Sequence, residues 1–202
     1  MIAIVNTGVA NIASVLYALE RLGEKAIVSD SPEQISKSDR VIIPGVGTAA
    51  ASMVTLKKYK LDECVRQLTQ PVLGICLGMQ ILYSHSQESI NGLVACIGVL
   101  PGTIQKLAPQ PALPVPHMGW NQVKTIRDSR LLKNIPNASN FYYVHSFRAP
   151  TIANASSEIV AISDYAETIP AVIEYKNYFG TQFHPERSGA VGEQLLKNFL
   201  AI

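Results

Sequence analysis

Short apolar runs alternating with helix-period segments fill the first half of the chain, and that alternation leaves few folds open. Ile2–Val5, Ala26–Val28, Arg40–Ile43 and the run Pro71-Val72-Leu73-Gly74-Ile75 each have the length and character of a buried parallel strand. Ile12, Val15, Leu16, Leu19 and Leu22 recur at helical spacing, with Asn11 placed to cap the start and Gly23 to stop the end. Residues 48–68 read as helix in two pieces, and 77–83 as a short buried helix. Such strand–helix units build a parallel sheet with right-handed crossovers, whose ligands bind at the carboxyl ends of the strands. The expected fold class is α/β, a mostly parallel central sheet flanked by helices. Beyond about residue 95 the prolines at 101, 109, 111, 114, 116 and 136 shorten the pieces. Short strands are expected there at 121–125, 140–144, 158–163, 170–175 and 178–183, with antiparallel pairing among the additional strands of this half. Ser188 then introduces an amphipathic helix. No repeat or linker divides the chain, so 1–202 reads as a single domain, with 109–116 as an extended surface loop.

Three stretches carry chemistry. In Gly74-Ile75-Cys76-Leu77-Gly78 a strand runs into a helix through Gly-x-Cys-x-Gly, the cysteine form of the turn that lifts a nucleophile above a sheet. A helix N-terminus there favours thiolate over thiol. The same residues also suit a buried cysteine between two packing glycines. Gln182-Phe183-His184-Pro185-Glu186 ends a strand with an imidazole, and a carboxylate follows across a proline. A thiolate needs such an imidazole to move its proton, and the imidazole needs a carboxylate to fix its tautomer. His184 alone would more readily fit a core-edge histidine or half of a weak metal site. Pro44-Gly45-Val46-Gly47 supplies unobstructed backbone N–H groups of the kind that stabilise an oxyanion, although a lone Gly-x-Gly is more often a plain turn.

Composition limits the partners. A net charge of +2 gives no reason to expect nucleic acid, and no apolar run approaches the roughly 20 residues needed to span a bilayer. Cys64, Cys76 and Cys96 form no CxxC and no metal-ligand spacing, as expected for free thiols in a reducing compartment. The N-terminal Met1–Asn6 reads as the first strand and not as a leader. The chain is expected to be cytoplasmic and to need no cofactor or metal.

The three motifs, in this order and at these separations, resemble the class I (triad) glutamine amidotransferases over essentially the whole chain, a family with a flavodoxin-like fold. The resemblance implies Cys76 as nucleophile, His184 as acid/base and Glu186 as its orienter. It implies an oxyanion hole from the N–H of Val46 or Gly47 and of Leu77, and glutamine held by Gly45, Gln80, Ser146 and Phe147. Within the class, the Gly-Val-Gly loop, Pro116-His117-Met118-Gly119-Trp120-Asn121 and Tyr142-Tyr143-Val144-His145-Ser146-Phe147 resemble the glutaminase subunits of imidazole glycerol phosphate synthases. The loops typical of the anthranilate and pyridoxal phosphate branches are absent. One departure is Asn6-Thr7-Gly8-Val9-Ala10-Asn11, where many members carry Asp-Tyr-Gly-x-Gly-Asn.

By this resemblance the substrate is L-glutamine and the reaction is hydrolysis through a cysteine thioester. The ammonia would pass to a TIM-barrel cyclase subunit, a heterodimer partner in histidine biosynthesis. His117, Trp120 and Tyr143 are expected as exposed anchors for that partner. The Val46–Gly47 peptide is expected to be able to turn over, since Gly47 tolerates positive φ. Other readings are the glutaminase of a different complex, a stand-alone cysteine amide hydrolase and a non-catalytic binding protein.

Overall fold

The computed structural model describes residues 1–8, 11–89, 92–111, 113–151 and 158–202. In chain order the elements are β1 (Ile2–Val5), α1 (Ile12–Arg21), β2 (Ala26–Ser29), α2 (Pro32–Ser36), β3 (Arg40–Ile43), α3 (Ala49–Lys58), α4 (Leu61–Gln67), β4 (Val72–Ile75) and α5 (Leu77–Gln80). Then follow β5 (Tyr83–Ser86), β6 (Val94–Ala95), β7 (Leu100–Lys106), β8 (His117–Thr125), β9 (Ser139–His145), β10 (Phe147–Arg148), β11 (Ile159–Tyr165), β12 (Glu167–Tyr175), β13 (Tyr178–Thr181) and α6 (Gly189–Leu200). A 3-10 turn over Pro185–Arg187 precedes α6.

Among the described residues one large sheet runs β2-β1-β3-β4-β13-β12-β11-β8-β9. Its pairings are parallel from β2 to β13 and antiparallel from there to β9. The expected α/β class holds, and the late strands extend the parallel sheet directly. The parallel part has the order 2-1-3-4-5 of a flavodoxin-like sheet.

Alternation along the parallel strands places residues on two buried faces. Ala3, Val5, Val41, Ile43 and Val72 pack with α3 and α4 through Met53, Leu56, Leu61 and Val65. Ile2, Ile4, Ile42, Leu73 and Ile75 pack with α1 and α6 through Val15, Leu19, Leu195, Leu196 and Phe199. With both faces covered, the strands need apolar residues at every position, which is why they read as continuous runs.

Several details depart from the sequence reading. The helix expected over 77–83 ends at Gln80, and Tyr83 begins β5 of a second sheet ordered β10-β7-β5-β6. Ile81, Leu82 and Tyr83 are all buried, and their apolar spacing could not choose between helix and strand. Asn11 sits at the α1 start, but its side chain donates to Ser14 Oγ and caps no backbone N–H. Val9 and Ala10, the core of the atypical loop, lie outside the described residues.

The contact that positions the site is between α5 and the strands beneath it. A Cβ on Gly78 would lie 1.9 Å from the Ile43 carbonyl oxygen, and one on Gly74 would lie 2.6 Å from the Gly78 oxygen. Backbone therefore packs on backbone, which no side chain permits. Gly78→Ala should destabilise the protein by about 3 kcal/mol or more, since strand β3 cannot yield without disturbing the sheet. Thermal unfolding monitored by circular dichroism checks this, and a melting temperature like that of the wild type would contradict it.

Candidate active site

Cys76 sits between β4 and α5 with φ 52° and ψ −109°, a conformation that L-residues rarely adopt. The strain is held from both sides, because the Cys76 N–H donates to Thr181 O at 2.7 Å and Gln80 N–H donates back to Cys76 O at 3.1 Å. The turn aims Sγ into a cavity of about 170 Å³ lined by Gly45, Val46, Gly47, Cys76, Leu77, Gln80, Glu88, Val144, His145, Ser146 and Phe147. Of the positions expected from sequence, Gly45, Val46, Gly47, Cys76, Leu77, Gln80, Ser146 and Phe147 line it, while His184 and Glu186 stand outside its lining. Gly47 adopts φ 97°, a conformation that glycine tolerates.

His184 follows the end of β13, and its Nδ1 makes a 2.7 Å bond to Glu186 Oε1. The pair is almost wholly enclosed, with side chains 3 % and 6 % exposed. The intervening proline starts the 3-10 turn that folds Glu186 back under the imidazole. The turn is pinned to β9: His184 N–H donates to Tyr142 O, and Ser188 Oγ donates to His184 O while accepting from Tyr142 N–H. His184 Nε2 has no hydrogen-bond partner. Burial opposes a charged imidazole, yet the Cys76 side chain and then Glu186 outweigh it and raise the His184 pKa well above the usual histidine range. The arrangement favours the protonated imidazole.

The other thiols offer no such environment. Cys64 is buried and contacts Ser36 and the Pro32 carbonyl. Burial pushes the Cys96 thiol up to about 12. Among the described residues no group of three or more His, Cys, Asp or Glu side chains is arranged to hold a metal ion.

The aromatic expectation needs correction. Trp120 is 59 % exposed, but His117 and Tyr143 are 2 % and 0 % exposed and cannot act as surface anchors in this chain. Side chains alternate across β8 and β9, so His117 and Tyr143 point into the core and stack on each other at 4.6 Å between centroids. Gln80 also differs in detail. Both hydrogens of its amide are committed, to Phe147 O at 2.7 Å and Gln182 Oε1 at 3.0 Å, which leaves only Oε1 free to meet a ligand.

Sequence reading missed Glu88, His145 and Gln182. Glu88 lies in the cavity wall, where its carboxylate accepts from Ala49 N–H at 2.7 Å and burial raises its pKa. Gln182 Nε2 lies 3.7 Å from Cys76 Sγ. For Gln182 a signal existed, since it adjoins the His184 motif. Glu88 stands in a polar stretch with nothing to distinguish it.

A strained cysteine, an enclosed His184–Glu186 pair and a glycine loop thus stand together at one end of a flavodoxin-like sheet. The profile of the glutamine amidotransferase class-I family matches residues 3–202. Proteins called imidazole glycerol phosphate synthase subunit HisH are similar over nearly their full length. The one from Idiomarina loihiensis is 48 % identical, covering 100 % of this chain and 97 % of its own. That from Pectobacterium atrosepticum is 46 % identical, with 98 % of both chains covered. Among solved structures, a protein described as a glutamine amidotransferase aligns with TM-score 0.74 at 16 % identity over 99 % of this chain and 97 % of its own. Another glutamine amidotransferase, from Thermotoga maritima, aligns with TM-score 0.60 at 15 % identity over 99 % and 82 %. These two likenesses concern the fold alone. The chain belongs to the class I glutamine amidotransferases, a family of enzymes.

Glu186→Gln should reduce kcat by about 10²-fold or more with a much smaller change in KM. The sign for pH follows from the His184 shift. A raised pKa keeps the imidazolium until pH climbs through it, so removing the Glu186 charge lowers that pKa and moves the alkaline limb of kcat/KM to lower pH. A steady-state pH profile of ammonia release checks both; a pure KM defect would remove Glu186 from this role.

Proposed function

We propose that this chain is the glutaminase subunit of an imidazole glycerol phosphate synthase, hydrolysing L-glutamine and delivering the ammonia to a synthase partner. What carries the reading is Cys76, held in a strained turn at the floor of the cavity beside the His184–Glu186 pair. The full-length similarity to the HisH proteins selects this complex over the other amidotransferase complexes and over a stand-alone hydrolase.

In the proposed reaction the Cys76 thiolate attacks the side-chain carbonyl carbon of glutamine. The resulting oxyanion is stabilised by N–H groups of Leu77 and of Val46 or Gly47. His184 gives its proton to the departing nitrogen, so ammonia leaves and a γ-glutamyl thioester remains. His184 then takes a proton from water as that water attacks the thioester, which releases glutamate and restores the thiolate. Glu186 holds the imidazole in the needed tautomer throughout. Glu88 supplies a carboxylate in the cavity wall for the substrate's α-ammonium group, while Gly45, Gln80 and the backbone at Ser146 and Phe147 hold the rest.

Ammonia set free in water would be protonated and lose its nucleophilicity, so the acceptor site belongs next to this one. We place it on a TIM-barrel cyclase forming a heterodimer with this chain, which itself reads as one domain of 202 residues. Among the described residues no helix is long and apolar enough to cross a membrane, and a cytoplasmic location follows from the biosynthetic role. Trp120 remains the candidate anchor of the original three. Met118, two residues away on the same face of β8, is also exposed, and the Trp120 ring meets Tyr142 edge-on at 6.0 Å.

Cys76→Ala should abolish ammonia release from glutamine while the protein stays folded. Trp120→Ala should weaken the response of the glutaminase rate to added cyclase with its ligand, while labelling of Cys76 by a glutamine-mimicking electrophile is retained. A wild-type chain fully active alone, and unmoved by the cyclase, would overturn the coupled-synthase reading.

A further inference from the structure

One chain of hydrogen bonds runs from β8 to the nucleophile, and the chemistry of its members fixes the direction of every bond. It starts at Asn121, whose Oδ1 accepts from Gln122 N–H and whose Nδ2 therefore points the other way. That Nδ2 donates to Asp164 O and, at 3.3 Å, to His117 Nε2. His117 Nδ1 lies 2.9 Å from His145 Nε2, and His145 Nδ1 lies 2.8 Å from Phe147 O. A carbonyl only accepts, so His145 carries its hydrogen on Nδ1. Burial holds both rings neutral, lowering His145 to about 3 and His117 to about 4. His145 Nε2 is then an acceptor, and His117 must donate from Nδ1.

Phe147 O also accepts from Gln80 Nε2, which fixes the Gln80 amide as a donor. Its second hydrogen goes to Gln182 Oε1. Gln182 consequently turns its own Nε2 toward Cys76 Sγ, 3.7 Å away. Inverting that amide would set donor against donor at Gln80. Besides the His184 imidazole, the sulfur meets the Val144 carbonyl at 3.8 Å, which only a protonated thiol can use. The donor from Gln182 serves the thiolate, whereas Val144 serves the thiol.

We propose that Gln182 is a further catalytic residue, donating a hydrogen bond that holds the Cys76 thiolate, and that His145 is a positioning residue fixing the Phe147 carbonyl from which that donation is directed. The inference rests on Cys76 being the nucleophile of the proposed glutaminase. A hydrogen bond to a charged sulfur strengthens as the charge appears, so it favours the reactive form. The titratable groups around Cys76 are His184 with Glu186 behind it, His145, and Glu88 across the cavity. Gln182 acts beside them without titrating.

The test is the rate of Cys76 alkylation by iodoacetamide across pH, read at the Cys76 peptide by mass spectrometry in the full-length chain. Gln182→Met should raise the midpoint by about one pH unit. It should also lower kcat for ammonia release about 10-fold with KM nearly kept, because Gln182 does not line the cavity. His145→Leu, which loses the donor to Phe147 O, should move the midpoint the same way by less. His145→Asn, which keeps a donor near that place, should lie closer to wild type than His145→Leu. If Gln182→Met does not fold, Gln182→Asn, one methylene short of the sulfur, serves instead. An unchanged midpoint in the folded Gln182 variant overturns the proposal, and so does His145→Leu indistinguishable from wild type. Alkylation needs no turnover, so failure of the glutaminase reading would appear separately, as wild-type protein that alkylates normally but releases no ammonia.

Discussion

The closeness of Gly78 to the Ile43 carbonyl sets the geometry on which the rest of the site depends. Helix α5 can descend onto strand β3 only because Gly78, Gly74 and Gly45 carry no side chains where the backbones meet. The descent forces the sharp turn at Cys76 and its positive φ. It also brings Leu77 against the Gly45 loop, so Cys76 and the Gly45–Gly47 loop are placed by one packed contact and not by two independent loops. A site fixed in this way loses little entropy when substrate arrives, the advantage of preorganisation.

Burial then sorts the three histidines near the site into two kinds. His184, His145 and His117 are all enclosed. His184 faces the Cys76 side chain and the Glu186 carboxylate, and their interactions outweigh the cost of removing an imidazolium from water. His145 and His117 face each other, a carbonyl and an amide, and nothing there compensates a charge. They are neutral connectors with fixed tautomers. The same side chain thus holds its proton more tightly in one place and is a neutral hydrogen-bond link in another, decided by its partners.

The mixed sheet explains how residues so far apart in sequence converge. Strands β3, β4 and β13 are neighbours and parallel, so Gly45, Cys76 and His184 emerge at the same edge. The antiparallel extension through β12, β11, β8 and β9 returns the chain to that edge, where β9 supplies the Tyr142 carbonyl that anchors His184 and runs on to Ser146 and Phe147. The small sheet closes the far side and carries Glu88 just beyond β5.

Continuous apolar runs identified β1, β3 and β4 because strands covered on both faces admit nothing else, and the glycines around Cys76 exposed the turn because no other residue fits it. His184 and Glu186 were legible for a similar local reason, two residues apart across a proline. The end of α5 was not, since Ile81 to Tyr83 are apolar in either geometry and only pairing with β7 starts a strand at Tyr83. Nor could sequence say that His117 and Tyr143 point inward while Trp120 points out. That depends on strand register, in which a shift of one residue exchanges the faces. Glu88 and the link from Asn121 to Cys76 lay beyond reach for the same reason. Local sequence determines which residues can make a turn, a strand or an acid–base pair; which of them share a cavity, and which way each amide points within it, was decided by long-range pairing alone.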